Sequence, residues 1–184
     1  MNTPVRGRRL NQPGRTESLD PFSRCINAAL RYLSYRPRSE AELRARLFAH
    51  GFGAGVVEEV LSRLRDKDLV DDTDFASFWV ENRESFSPRS RRALEMELRG
   101  KGISPHIIAR ATAAVDEMES AYRAARTKCR SKRFSDIYEF RRRLAPALRR
   151  LGFDHEVIAE TVNRLWREQA GTSSSHGDSG GREG

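Results

Sequence analysis

The stretch LFAHGFGAGVVEEV, from Leu47, sets glycines at 51, 53 and 55 ahead of a helical pattern. Glycines so spaced can form a loop whose backbone amides cradle a phosphate, but that loop needs a buried strand in front of it. Here the preceding residues, SEAELRARLFAH from Ser39, place Leu43 and Leu47 four apart among charges, which is helix spacing. A glycine just past a helix is the usual left-handed cap, and Gly51 reads as a helix end. Other chemically capable residues are scattered. His50, His106 and His155 give no His-x-x-x-His pair that would set two imidazoles on one helix face. Asp71, Asp72 and Asp74 lack the glycine of a calcium loop and read as helix-capping residues. Cys25 and Cys129 form no Cys-x-x-Cys and read as thiols in a reducing compartment. Arg126, Lys128 and Arg130 around Cys129 favour its thiolate, but no general base accompanies it. With no nucleophile, base and acid in one set, the expectation is a protein that is not an enzyme and takes no cofactor or metal.

Charge is the more informative signal. The net charge is +8, and residues 121–168 alone carry +7. Such a localised excess points to a polyanion or an acidic partner. Arg123, Arg126, Arg130 and Arg133 follow one another at helical steps of three, four and three, which predicts one ridge flanked by Lys128 and Lys132. Arg141, Arg142, Arg143, Arg149 and Arg150 add cations on the next helix. A ridge of this kind can follow phosphates, with binding that weakens as salt rises, or meet an acidic protein surface.

The elements that carry these residues recur. LRARLFAHGFGAGVVEEVLSRL from Leu43, LEMELRGKGISPHIIARATAAV from Leu94 and LAPALRRLGFDHEVIAETVNRL from Leu144 align without a gap, at steps of 51 and 50 residues. Leu43, Leu94 and Leu144 correspond, as do Leu47, Leu98 and Leu148. Gly51, Gly102 and Gly152 follow, each before an apolar residue; then come Val57, Ile108 and Ile158, and finally Leu64, Val115 and Leu165. Gly53 and Gly55 have no counterparts, which removes the phosphate loop. Repetition at this period is the mark of a modular stack.

Each copy reads as three helices. The first helix of copy one covers Phe22 to Ser34, with Ile26, Ala29, Leu30 and Leu33 on one face; its second starts at a Ser39/Glu42 capping box. Copy two shows Phe75, Phe78, Trp79 and Val80, a break at Pro88, and Ser104-Pro105 ahead of its third helix. Copy three supplies Tyr122 and Ala125, then Ile137, Tyr138, Phe140 and Leu144, then Val157, Ile158, Val162, Leu165 and Trp166. The expected fold is all-α, about nine helices in tandem three-helix repeats, elongated and modular. Its expected divisions are a basic N-terminal arm over 1–21, repeats over 22–71, 72–120 and 121–169, and a Gly/Ser-rich tail over 170–184. Arm and tail lack the apolar residues of a core and are expected to be unstructured. No apolar run approaches a membrane span and no signal peptide is evident, so a cytoplasmic monomer without membrane contact is expected.

Three segments resemble the RecX regulatory proteins of bacteria. Arg36-Pro37-Arg38-Ser39-Glu40-Ala41-Glu42-Leu43 looks like that family's R-x-R-S-x-x-E-L segment. Leu69-Val70-Asp71-Asp72-Thr73-Asp74-Phe75-Ala76 is similar to its L-x-D-D-x-x-F-A, and Leu98-Arg99-Gly100-Lys101-Gly102-Ile103 to its L-x-x-K-G-I. The resemblance covers about residues 25–168; Arg89-Ser90 departs from it, standing where relatives often carry a glycine after the proline. It implies a curved body of three-helix repeats that lodges in the groove of the RecA–DNA filament. There it would restrain ATP hydrolysis, strand exchange and co-protease activity, and some relatives also bind DNA. The residues alone leave a second reading, a DNA-binding protein of helix-turn-helix-like units acting without a recombinase.

Overall fold

Carboxylate and hydroxyl side chains set most of the helix starts. The computed structural model describes residues 20–130 and 134–174, with side chains placed as far as Gln169. The N-terminal arm before Asp20, with Arg6, Arg8, Arg9 and Arg15, and the tail after Ser174 lie outside the described residues. In α1 (Pro21–Leu33) the Asp20 carboxylate accepts the Ser23 amide at 3.0 Å, with Pro21 in the first turn. Ser39, Asp71, Ser90, Asp116 and Asp136 cap α2 (Glu40–Ala49), α4 (Asp72–Phe86), α5 (Arg91–Gly100), α7 (Glu117–Cys129) and α8 (Ile137–Arg150) in the same way. α3 (Ala54–Arg65) and α6 (Pro105–Thr112) begin at Gly53 and Ser104 without a side-chain cap. α9 spans His155–Ser174, so helical backbone runs a few residues into the segment that composition marks as a tail. The described residues contain no strand.

Helices pack chiefly within α1–α3, α4–α6 and α7–α9, and each trio closes over its own core. The positions that recur in sequence are the ones that fill these cores. Leu43, Leu47, Val57, Leu94, Leu98 and Leu148 are fully buried, and Leu64, Ile108, Val115, Leu144, Ile158 and Leu165 nearly so. One apolar stripe per helix is all a three-helix core can take, which corrects three expected core residues. Leu30 and Phe78 are 41 % exposed and Tyr138 is 80 % exposed, because Ala29, Phe75 with Ala76, and Phe140 occupy the inward stripes of their helices.

The recurring glycine serves twice. Gly51, Gly102 and Gly152 have φ of +81°, +78° and +95°, a region that an L side chain occupies at a cost. Gly102 and Gly152 also lie where one repeat touches the next. A methyl on Gly102 would come within 2.4 Å of Ala41 Cβ, and one on Gly152 within 2.5 Å of Ser90 Oγ. The joint is built the same way both times, from the start of the second helix of one repeat set on the glycine cap of the following repeat. Between repeats one and two, Ser39 Oγ donates to the Lys101 carbonyl at 2.7 Å, and the Glu40 amide to Asp72 Oδ1 at 2.9 Å. Between repeats two and three, the Ser90 amide donates to the Leu151 carbonyl at 3.2 Å, and the Arg91 amide to Glu117 Oε1 at 2.8 Å. Ser90 also caps its own helix, accepting the Ala93 amide at 3.1 Å.

The first joint also corrects the capping box. The Glu42 amide does bond Ser39 Oγ, at 3.2 Å, but the Glu42 carboxylate turns away to Lys101 Nζ at 2.6 Å and to Arg36 at 3.4 Å. Burial pushes the Glu42 carboxyl up, yet Lys101 and Arg36 together outweigh it and hold the group below its ordinary value. All three motif segments therefore meet at this one joint.

Candidate anion-binding interface

The described candidate cations of the third repeat stand on α7, at its C-cap and on α8, and the structure sorts them into different roles. Arg123 points back to repeat two, where its Nη2 donates to the Glu84 carboxylate beside the Ser120 hydroxyl, itself 2.8 Å from Glu84 Oε2. It belongs to the joint, so the expected four-arginine ridge is corrected. α7 ends at Cys129 with Arg130 as its C-cap, and Lys132 and Arg133 lie outside the described residues. Arg126, Lys128 and Arg130 remain exposed near the C-terminal end of the helix, where a cation complements the macrodipole.

On α8, Arg141, Arg142, Arg143, Arg149 and Arg150 are all exposed. Three consecutive residues turn by about 100° each, so Arg141, Arg142 and Arg143 fan around the helix instead of sharing a face. Arg143 and Arg150 do share one, with Ala147 between them at steps of four and three. Together with Lys128 they line a cleft of about 200 Å³ whose other walls are Cys129, Phe134, Leu144 and Ala147. Phe134 stands edge-on to Phe140, with ring centres 4.9 Å apart, and so is anchored to the core of the repeat. Arg143 has a carboxylate neighbour, Glu139, at 3.4 Å. The Ser135 amide and hydroxyl hold Glu139 below its ordinary carboxylate value, so it is charged at neutral pH. This pair lies at the surface, where an ion pair contributes little to stability.

Of the expected anion-contacting residues, then, Lys128, Arg143 and Arg150 converge; Arg126, Arg130, Arg141, Arg142 and Arg149 are dispersed over the same repeat. Phe134 is the residue that charge counting misses. The i, i+4, i+7 spacing of Arg143, Ala147 and Arg150 was the available signal, but its meaning depends on what the facing loop brings. The other chemically capable residues are bound up locally. The Tyr32 hydroxyl is hydrogen-bonded to His50 Nε2, Ser104 Oγ lies 3.1 Å from His106 Nδ1, and Asp71 accepts the Thr73 and Asp74 amides. Cys25 and Cys129 are buried in separate repeats. Among the described residues no group of three or more His, Cys, Asp and Glu side chains is placed to hold a metal ion, and no helix is long and apolar enough to cross a membrane.

Comparison with known proteins identifies the stack. A family model described as RecX, first three-helix domain, matches residues 25–64, and one described as RecX, second three-helix domain, matches residues 71–111. A regulatory protein RecX of Mycobacterium sp. (strain KMS) is 35% identical over 159 residues, covering 83% of this chain and 84% of its own. That of Mycobacterium ulcerans (strain Agy99) is 39% identical over 137 residues, covering 72% and 79%. Among solved structures, RecX from Lactobacillus salivarius superposes with a TM-score of 0.65 at 25% identity, covering 79% of this chain and 97% of that one. With the motif segments gathered at one joint, and with more than a third of positions shared over most of both chains, the chain belongs to the RecX family of regulatory proteins.

Proposed function

We propose that this protein restrains the RecA recombinase by lying as a monomer along the groove of cytoplasmic RecA–DNA filaments, slowing ATP hydrolysis, strand exchange and co-protease activity. The observation that carries the reading is the similarity to regulatory proteins RecX over 83% of the chain. The architecture supports it. A linear stack can touch more than one subunit of a helical polymer and so resist the subunit motions that accompany ATP turnover. The two ends of the stack also favour a single copy. Ser39 and Ser90 open the helices that make the joints, but repeat three has Phe140 in that register, and it is buried. At the other end α1 starts with Pro21 where α4 and α7 offer an acid to the joint. No second copy can extend the stack by the same contacts.

The test is DNA-dependent ATPase activity of the cognate RecA on single-stranded DNA, titrated with this protein. Inhibition well below one protein per RecA monomer is expected, since an agent acting along a filament need not occupy every subunit. Unchanged ATPase at stoichiometric excess, with tight sequence-selective binding to naked duplex, would instead support the helix-turn-helix-like reading.

A further inference from the structure

We infer that the cleft between α7 and α8 is a binding site for single-stranded nucleic acid, taking one base against Phe134 and its flanking phosphates on Lys128, Arg143 and Arg150. The chemistry of the walls selects this ligand. Three of its described walls are cations, Phe134, Leu144, Ala147 and Cys129 supply the others, and the one carboxylate paired with these cations is Glu139 beside Arg143. A ligand that matches this lining combines an apolar group for Phe134, Leu144 and Ala147 with several negative charges for Lys128, Arg143 and Arg150. An unpaired nucleotide has that form, a planar ring projecting from a phosphate chain, and aromatic side chains in basic grooves bind single strands in this way. An aspartate or glutamate side chain has the reverse polarity. Its charge is at the tip and it carries no ring, so it leaves the apolar walls without a partner and loses water from its carboxylate beside them.

Size points the same way. About 200 Å³ falls below the range of pockets that enclose drug-sized molecules, so the cleft admits one ring system and not a stacked base pair. A duplex, whose bases are occupied in pairs, could reach only the rim cations. The site depends on reading repeat three as the anion-contacting surface, but it does not depend on any recombinase.

The experiment is fluorescence anisotropy with the full chain and no recombinase, comparing a labelled oligodeoxythymidine with a duplex of equal length across a salt series. The single strand is expected to bind more tightly. Phe134→Leu keeps an apolar side chain against Phe140 but removes the ring face, and should weaken single-strand binding by at least about fivefold while leaving the duplex unchanged. Arg143→Gln with Arg150→Gln, at exposed positions, should make the slope of log affinity against log salt shallower by about 1.4 on the single strand. Thermal melting of each variant checks that the repeat is folded. Phe134→Leu without effect, or with an equal loss on both ligands, would overturn the base-insertion site. Displacement of the oligonucleotide by an oligoglutamate peptide of equal charge at similar concentration would overturn the nucleic-acid assignment in favour of an acidic protein. Because RecA is absent, failure here leaves the filament reading standing, and failure of the ATPase titration leaves this site standing.

Discussion

A single residue type, glycine at the end of each second helix, answers to two different demands, and substitution should separate them. At Gly51 only the backbone asks for glycine, since a methyl there would meet nothing within 4 Å. Gly51→Ala should cost about 1 kcal/mol, the usual strain of a left-handed L residue. At Gly102 the methyl would also meet Ala41 Cβ at 2.4 Å, and overpacking adds roughly 1–3 kcal/mol. Gly102→Ala should therefore cost at least twice as much as Gly51→Ala in urea unfolding, and equal costs would refute the joint. The same joint has a titrating member. Burial, aided by the Glu40 and Asp71 charges, raises the Asp72 carboxyl above its ordinary value, against the Glu40 amide bond that lowers it. A raised acid contributes stability below its ordinary value and loses it as pH rises through the folded value. Asp72→Asn keeps an oxygen for the Glu40 amide and escapes that loss. Its stability relative to the wild type should rise from acid to neutral pH and converge below the ordinary aspartate range, which urea titrations at two pH values would read. Glu42 titrates in both proteins and cancels in the comparison.

At the scale of the element, α8 departs most from its counterparts. It starts a turn earlier than the repeat register implies, from Asp136, so that Phe140 falls in the helix where Ser39 and Ser90 are caps. It also carries Pro146 in its interior. Proline has no amide to donate to the Arg142 carbonyl and crowds it, a defect worth about 3 kcal/mol in an ordinary helix. Pro146 is exposed, so alanine can replace it without disturbing the core. Pro146→Ala should raise stability by about 1–3 kcal/mol, read as a shift in denaturant midpoint at constant slope.

The whole molecule is a stack in which local sequence determines the units and only tertiary contact determines the joints. The sequence by itself specified the three repeats, because their signals are local. Leucines four apart, cap residues such as Ser90 and Asp116, and a positive-φ glycine act within one or two helical turns. It likewise marked the third repeat as the basic one, since charge can be counted. It could not say that Glu42 would leave Ser39 for Lys101, 59 residues away, or that Arg123 would be taken by Glu84, 39 residues away. Those pairings depend on how consecutive units are seated, and periodicity within a unit carries no information about that. For the same reason the eleven basic candidates looked alike on paper. Folding tied Arg123 into a joint, dispersed the exposed arginines, and brought Lys128, Arg143 and Arg150 to one cleft around Phe134. Residue type fixes what a side chain can do, and the packing of helices far apart in the chain decides which side chains do it together.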